Sequence, residues 1–505
     1  MIIREKMRQV LKDTGISKIT RSAYDTAWVA RLGDIDRPLS NQALNWLAEN
    51  QLPDGSWGAE KPLYYHDRII CTLSAMAALT LQGRRAQDRR QIERGQHALE
   101  VLSSGATRGL MSDPAGETIA FEYVMPTLLA VVETNGLLSH QDDSVLGRLT
   151  RQRTAKLAKL SQRMKIDNKV TMAFCAEMIA PHELGVLDTE NIQEANGSVA
   201  YSSAATAFFA KYVRPDPAAL AFLNKYAING GVAYCEPIDT FEYAWVLWNI
   251  ALTNPSDDET LNLCQDTAKK LYSFWKSVPI NGFPAGVAAV GGFSLPDGDT
   301  TAMSHHTLNH FGCPVNLEGL LYYEETDHFR CFGLEANPSL STNVHVLGAL
   351  REAGLPADDP KVQKVVKFLR QAQAGHPYWF DKWHASPYYT TCHAVIAAAG
   401  YANELVTNAL EWIVNTQNED GSWGFYDNTP SAEETAYCLQ ALTIWKRQGS
   451  GDLEISNDVL KHGAQWLQSH MDDPYPWLWI GKSLYCPELV VESAILSALM
   501  LVEQL

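Results

Sequence analysis

The sequence predicts an all-α protein built from two αα-barrels, and three observations carry that expectation. Ala/Leu-rich segments of helical spacing follow one another along most of the 505 residues, alternating strand patterns are nearly absent, and one turn motif recurs in register near both ends of the chain. Ala43-Leu44-Asn45-Trp46 followed by Gln51-Leu52-Pro53-Asp54-Gly55-Ser56-Trp57-Gly58 returns at identical spacing as Ala409-Leu410-Glu411-Trp412 followed by Gln417-Asn418-Glu419-Asp420-Gly421-Ser422-Trp423-Gly424. A fainter copy is Gln193-Glu194-Ala195-Asn196-Gly197-Ser198. In the full copies a helix ends near the Gln, an Asp-Gly turn follows, and a Trp can stack back on the helix end. Such units near opposite ends of the chain imply two similar domains.

Taken in order, the chain opens on an amphipathic helix over residues 1–17, with Met7, Val10, Leu11 and Ile16 at helical spacing. Ser22 then caps a helix of small and aromatic residues, Ala23-Tyr24-Asp25-Thr26-Ala27-Trp28-Val29-Ala30. Further helical patterns cover 69–81, 126–133, 204–212, 240–252, 257–275, 343–353, 361–374, 389–399, 433–445 and 487–503. Many similar helices joined by Gly, Pro and Asn turns favour a closed solenoid over a bundle. Gly-rich spacers at Asn229-Gly230-Gly231 and Asn281-Gly282-Phe283-Pro284 flank the zone where one barrel passes to the next.

Composition narrows the function classes. A formal net charge of -17 leaves no basic stripe for nucleic acid. The 9 Cys are scattered without a C-x-x-C pair, no apolar run reaches membrane-spanning length, and the charged N-terminal helix does not resemble a secretory signal. These features predict reduced thiols and a cytoplasmic protein without a transmembrane segment. The 14 Trp and 20 Tyr suit aromatic cavity walls, and suit large cores as well.

Asp297-Gly298-Asp299-Thr300-Thr301-Ala302 follows a Gly-rich apolar approach, Val290-Gly291-Gly292-Phe293-Ser294-Leu295. Neither Asp has a basic neighbour within three residues. Inside an apolar cavity such a pair cannot hold two charges, and its protonated member is a Brønsted acid. On the surface the same residues would be a helix cap and a turn. Phosphate-loop, dinucleotide and H-E-x-x-H motifs are absent, and Ser202, Ser203 and Ser386 lack a nucleophile elbow. The doublets Asp142-Asp143, Asp257-Asp258, Asp358-Asp359 and Asp472-Asp473 lack the acidic residue three positions on that a diphosphate-ionising metal site needs. The histidines His305, His306 and His310 diverge around their helix, which disfavours a metal site. Protonation chemistry needs none of these motifs.

Ser22-Ala23-Tyr24-Asp25-Thr26-Ala27-Trp28, the Gln-x-x-Asp-Gly-Ser-Trp-Gly turns, the Asp297–Ala302 stretch, Asp381-Lys382-Trp383-His384-Ala385-Ser386-Pro387-Tyr388-Tyr389 and Leu478-Trp479-Ile480-Gly481-Lys482 together resemble the bacterial class II diterpene cyclases, relatives of squalene-hopene cyclases. The resemblance runs from about residue 20 to the end. It implies a βγ pair of αα-barrels, with residues 1–17 the first helix of the β domain, 18–250 an inserted γ domain and 251–505 the rest of the β domain. It implies geranylgeranyl diphosphate as substrate, protonated at its terminal alkene and closed into two rings with the diphosphate retained. A downstream class I terpene synthase or phosphatase would take the product.

Carried over by motif, Asp299 would be the general acid, Asp297 its partner, and Asn343 a side chain orienting the acid. Glu122, in Phe121-Glu122-Tyr123-Val124-Met125-Pro126, matches a Glu associated with Mg²⁺ and the diphosphate, while Lys482 and Arg68 are further diphosphate contacts offered as surface cations. Thr300 replaces the last Asp of the family's D-x-D-D, and Trp383 and Tyr388 are placed on the cavity wall. Plant labdane-type members hold a terminating base on a His and an Asn, where this chain has Ala176 and Tyr234. Without that base the bicyclic cation should live long enough for hydride and methyl shifts, which predicts a clerodane (kolavenyl) or halimadane product over a labdane. A squalene-type triterpene cyclase and a non-catalytic prenyl-binding barrel are the rival readings.

Overall fold

The computed structural model describes residues 2–112, 118–136, 149, 151, 153–154, 165–179, 181–293, 295–333, 335, 337–373, 375–449 and 453–505; the doublet Asp142-Asp143 and Ser294 lie outside them. Up to the middle of the chain the helices are α1 (Ile2–Asp13), α2 (Ala23–Ala30), α3 (Arg37–Glu49), α4 (Tyr65–Gln82), α5 (Ala86–Ser112), α6 (Phe121–Thr134), α7 (Ser203–Phe208) and α8 (Pro217–Tyr226). The rest of the chain gives α9 (Asp239–Ala251), α10 (Asp258–Tyr272), α11 (Gly298–His310), α12 (Glu318–Leu321), α13 (Leu340–Glu352), α14 (Pro360–Ala372) and α15 (Pro387–Ala398). It ends with α16 (Thr407–Asn415), α17 (Ala432–Gln448), α18 (Asn457–His470) and α19 (Glu488–Glu503). Among the described residues the only strands form a short antiparallel ribbon, Trp479–Ile480 against Leu484–Tyr485. No helix in this set is long and apolar enough to cross a membrane.

In the C-terminal half, α9, α11, α13, α15, α17 and α19 each pack on the next, and α19 returns to α9, so the ring closes. The helices α10, α12, α14, α16 and α18 lie outside it, and α1 fills the remaining outer place against α19 and α10. Amphipathicity explains the sorting. Inner α15 is buried along its whole length, whereas outer α14 buries only the stripe Val362, Val365, Val366 and Leu369. The N-terminal barrel gathers α2, α4, α6 and α7, with α3 and α5 packed outside.

The two barrels have separate apolar cores. The second takes in Met7, Val10 and Leu11 of α1, and also Trp245, Leu247 and Ile250 on α9 with Ile238 just ahead of it. The domain boundary expected at residue 250 is therefore corrected to a point ahead of α9, because that helix is one of the ring-closing staves.

The repeated turn has one construction. Gln51 Nε2 donates to the Gly55 carbonyl at 2.8 Å, Gln193 to Gly197 at 2.9 Å and Gln417 to Gly421 at 2.9 Å. The Trp of each full copy donates Nε1 to the preceding helix, Trp57 to Leu47 O at 2.8 Å and Trp423 to Ile413 O at 2.7 Å. A further copy, invisible as a motif, is Gln373 to Pro377 O at 3.2 Å with Trp379 Nε1 to Leu369 O at 2.8 Å. Glycine is required at the turn because Gly55 and Gly421 sit at φ +90 and +94, and a Cβ on Gly55 would meet the Arg94 carbonyl at 2.6 Å.

The barrels meet along a seam made by two motifs that are far apart in the sequence. Ser22 Oγ and Ser483 Oγ are hydrogen-bonded at 2.8 Å, and Asp67 Oδ1 accepts from Leu484 N at 2.8 Å.

Candidate active site

The paired carboxylates stand at the N-terminus of α11, inside the closed ring. Asp297 is the N-cap, its Oδ1 accepting from Thr300 N at 2.7 Å. The capping role and burial thus coincide in one residue. Burial pushes the Asp297 carboxyl up to about 7, the charge of Asp299 adds to the rise, and the Thr300 N–H opposes it. Thr300 and Thr301 are buried beside it, and Thr301 Oγ1 donates to Asp297 O at 2.5 Å. Asp299, one turn position on, keeps 14% of its side chain accessible, so it is the member of the pair that a reactant can reach.

The partner of Asp299 was not in the expected set. His345 Nδ1 lies 2.6 Å from Asp299 Oδ1, and His345 Nε2 lies 2.9 Å from His393 Nδ1. Asn343 is corrected to a structural role: its amide donates to Phe329 O at 2.9 Å and Ser339 O at 2.8 Å, and its oxygen accepts from Phe329 N at 2.9 Å. Two residues along a helix lie on different faces, so the side chain that meets the acid is His345. Asp381 fixes the start of that helix, accepting from Leu340 N at 2.6 Å and Ser341 Oγ at 2.8 Å. The sequence signal for His345 and His393 is an ionisable residue in the middle of a helix predicted to lie inside the ring.

Tyr389, not Tyr388, faces this side. Tyr388 is corrected to the outer layer, stacked on Trp412 of α16 at 4.5 Å. Tyr389 lies 6.1 Å from the His345 ring and accepts from Trp245 Nε1 at 2.8 Å. From there aromatic rings continue to the seam: Tyr389 to Trp479 at 4.9 Å, Trp479 to Tyr485 at 6.3 Å, Tyr485 to Tyr234 at 4.5 Å and Tyr234 to Phe174 at 6.0 Å. Beneath this wall the buried Glu433 accepts through Oε1 from Trp479 Nε1 at 2.8 Å and Tyr437 OH at 2.9 Å, and His384 Nε2 lies 3.1 Å away. This run of rings therefore carries π faces backed by the Glu433 carboxyl group, an arrangement suited to a positive charge. Trp383 lies nearer the loop at Phe332, 6.2 Å away, with the Lys382 ammonium 5.0 Å from its ring.

At the far end Ala176 is buried beside Phe174, and Gly481 approaches the Tyr234 ring closely enough that a Cβ would sit 3.1 Å from it. Burial and then the neighbouring Tyr485 hold the Tyr234 hydroxyl well above its ordinary pKa, so it stays neutral. Glu177, next to Ala176, is tied to Lys482 Nζ at 2.6 Å and Tyr24 OH at 3.1 Å.

Both expected surface cations are corrected. Lys482 is fully buried, donating to Glu177 Oε1 and to Ser202 Oγ at 2.6 Å. Arg68 is built into the first repeat turn, binding Ala59 O at 2.7 Å, Asp54 Oδ2 at 3.0 Å and Ser56 Oγ. Glu122 is buried in the first turn of α6. Among the described residues no three His, Cys, Asp or Glu side chains gather into a cation site. A single carboxylate fits a Mg²⁺ whose other ligands are diphosphate and water oxygens, not a cage made by the protein. The divergent His305 and His306 are held neutral by burial, at about 4 and about 3.

The Asp297 shift has a stability consequence. An unfolded Asp titrates near 3.9, so between about pH 4 and pH 7 the folded chain binds more protons than the unfolded one. The stability contributed by neutral Asp297 is therefore present at low pH and is lost as pH rises through about 7. Glu236 and Glu242, both raised to about 7, act in the same direction. Asp297→Asn keeps the cap and removes one titration, so the fall of Tm between about pH 4 and pH 7 should become shallower.

The squalene-hopene cyclase C-terminal domain model matches residues 333–479. The chain is 43% identical over 507 residues to the type B diterpene cyclase of Mycobacterium tuberculosis, covering 99% of each. It is 30% identical to an ent-copalyl diphosphate synthase of a Streptomyces species, over 92% of this chain and 89% of that one. Among solved structures, the ent-copalyl diphosphate synthase from Streptomyces platensis superposes with a TM-score of 0.79 at 28% identity, over 100% of both chains.

Proposed function

The chain belongs to the class II diterpene cyclases, and on that premise we propose that it cyclises geranylgeranyl diphosphate to a rearranged bicyclic diterpenyl diphosphate. The observation that supports the acid assignment most directly is the carboxylate pair at the start of α11, one member buried and raised to about 7, the other accessible and touching His345. Asp299 donates its proton to the less substituted carbon of the terminal alkene. Asp297, its carboxyl raised by burial to about 7, is protonated far more readily than an ordinary carboxylate, which reduces the negative charge on the pair. The tertiary cation draws in the next two double bonds, forming two carbon–carbon bonds. Loss of a proton from the bicyclic cation restores neutrality, so no atom is gained or lost overall.

The wall running from Tyr389 through Trp479 and Tyr485 to Tyr234 supports a cation that moves before it is quenched. At the end of that wall Ala176 carries no base, Tyr234 is neutral and Glu177 is engaged by Lys482. Successive 1,2-hydride and methyl shifts then precede proton loss, giving a kolavenyl (clerodane) or, stopping earlier, a halimadienyl skeleton. The diphosphate stays on the product. Mg²⁺ bound with it would supply charge neutralisation, and Glu122 is the residue that would share it.

Incubation with geranylgeranyl diphosphate, phosphatase treatment and NMR of the alcohol tests the reading. A clerodane or halimadane alcohol is expected, and an unrearranged labdadienol as main product would overturn the rearrangement. The unrearranged alternative is kept in view by the copalyl and labda-7,13-dienyl diphosphate synthases among the relatives.

A further inference from the structure

A carboxylate buried away from water is costly unless a counter-charge and hydrogen bonds compensate it. Glu433, in the first turn of α17, is 0% exposed, and only one of its oxygens is compensated. Oε1 accepts from Trp479 Nε1 at 2.8 Å, Tyr437 OH at 2.9 Å and His384 Nε2 at 3.1 Å. Oε2 is buried with no hydrogen-bond partner. The next residue shows the contrast. Glu434 is satisfied at both oxygens, Oε1 by Ser386 Oγ at 2.5 Å and Phe425 N at 3.1 Å, Oε2 by Ser431 Oγ at 2.6 Å.

The donors on Glu433 bring no positive charge with them. An indole N–H and a phenol are neutral donors. His384 Nδ1 accepts from the Ser386 backbone N–H at 3.1 Å, which leaves the ring proton on Nε2, pointed at Glu433, and the imidazole neutral. Among the described residues His384 is the one ion-pair neighbour of Glu433, with no Lys or Arg in reach. Three donors and the positive end of the α17 macrodipole thus surround a carboxylate that no cation cancels.

The rings of those donors enclose one place. His384 stacks on Tyr389 at 4.6 Å, Tyr437 lies 5.4 Å from Tyr389, and Trp479 lies 4.9 Å from it. Tyr389 in turn lies 6.1 Å from the His345 ring that touches Asp299. Glu433 therefore sits one layer of rings behind the start of the run that leads from the acid to the seam.

We propose that Glu433 is the counter-charge of the cyclising cation, its free carboxylate oxygen matched by the positive charge that ring closure places inside the barrel, with Tyr389 and Trp479 between the two. The inference rests on the protonation chemistry proposed above. No bond forms to Glu433 and no proton moves to it. Water does not reach Oε2, so its field is only weakly screened. Donation to a carboxylate also polarises the Trp479 and Tyr437 rings, deepening their π faces. A cation stabilised in this way survives through more hydride and methyl shifts, so Glu433 also sets how far rearrangement runs before proton loss.

Equilibrium binding reads the charge without turnover. The probes are a decahydroquinolinium bearing the substrate's diphosphate chain and the uncharged decalin of the same shape. The parent should bind the ammonium about tenfold or more tighter than the decalin. Glu433→Gln keeps an oxygen for the three donors and loses no partner at Oε2. It should bind the decalin within about threefold of the parent while the preference for the ammonium disappears. With geranylgeranyl diphosphate the same variant should keep KM within about threefold, lose about tenfold or more in kcat, and give a larger share of unrearranged labdadienol. Glu433→Met combined with Tyr437→Phe removes the carboxyl together with a donor it would strand, and decides if Glu433→Gln does not fold. No preference in the parent, a preference kept by the variants, or both probes weakened together would overturn the counter-charge. The preference should survive in Asp299→Asn, so turnover retained by that variant would overturn the acid assignment alone.

Discussion

Asp299→Asn is expected to lower turnover of geranylgeranyl diphosphate by about a thousandfold or more, with Tm held within a few degrees. The amide is isosteric and can still pair with His345 Nδ1, which lies 2.6 Å from Oδ1 in the parent. It has no proton acidic enough for an alkene. Asp297 does not substitute for it, since that carboxyl is buried and occupied in capping α11. Product formation and thermal unfolding on the same preparation check the expectation. Activity above a few per cent of the parent would remove Asp299 from the role of acid.

Lys482→Met is expected to cost about 3–5 kcal/mol of stability, because it leaves a buried carboxylate without its counter-charge. Lys482 and Glu177 are both fully buried, 2.6 Å apart, at the seam between the barrels. Burial alone would lower the Lys482 pKa, but Glu177, Cys175 and Asp25 outweigh it and raise the value. Asp25 lies in the same pocket of charge; burial pushes its carboxyl up to about 6, with Lys482 pulling it down. The variant should therefore unfold at clearly lower denaturant concentration. A diphosphate anchor would behave differently, raising KM with the denaturation midpoint unchanged, and that result would restore the role expected from the motif.

The helices were legible in the sequence because their signals are local. Apolar spacing marks α4, α9, α13, α15 and α17, and Gln-x-x-x-Gly closes the turn at Gln51, Gln193 and Gln417. The outer α18 and the long α5 were not among the expected helices, although α18 buries Leu460, Gly463 and Leu467 at helical spacing. The Gln373 turn was hidden because Pro377 supplies the carbonyl that glycine supplies in the other copies.

The candidate site divides in the same way. The pairing of Asp297 with Asp299 at a helix start follows from spacing and capping chemistry, so the sequence by itself determined the kind of acid and its address. Which side chain completes it depends on the closing of a ring of helices. That closure brings His345 to Asp299 across 46 residues and His393 to His345 across 48. It also turns Tyr389 inward and Tyr388 outward, and draws α9 into the second barrel. Lys482 reads as a surface cation until the seam folds it against Glu177, 305 residues away. Residue type and local period are written along the chain, but the direction of a side chain in a barrel is set by the neighbouring staves. Only the tertiary structure decided that.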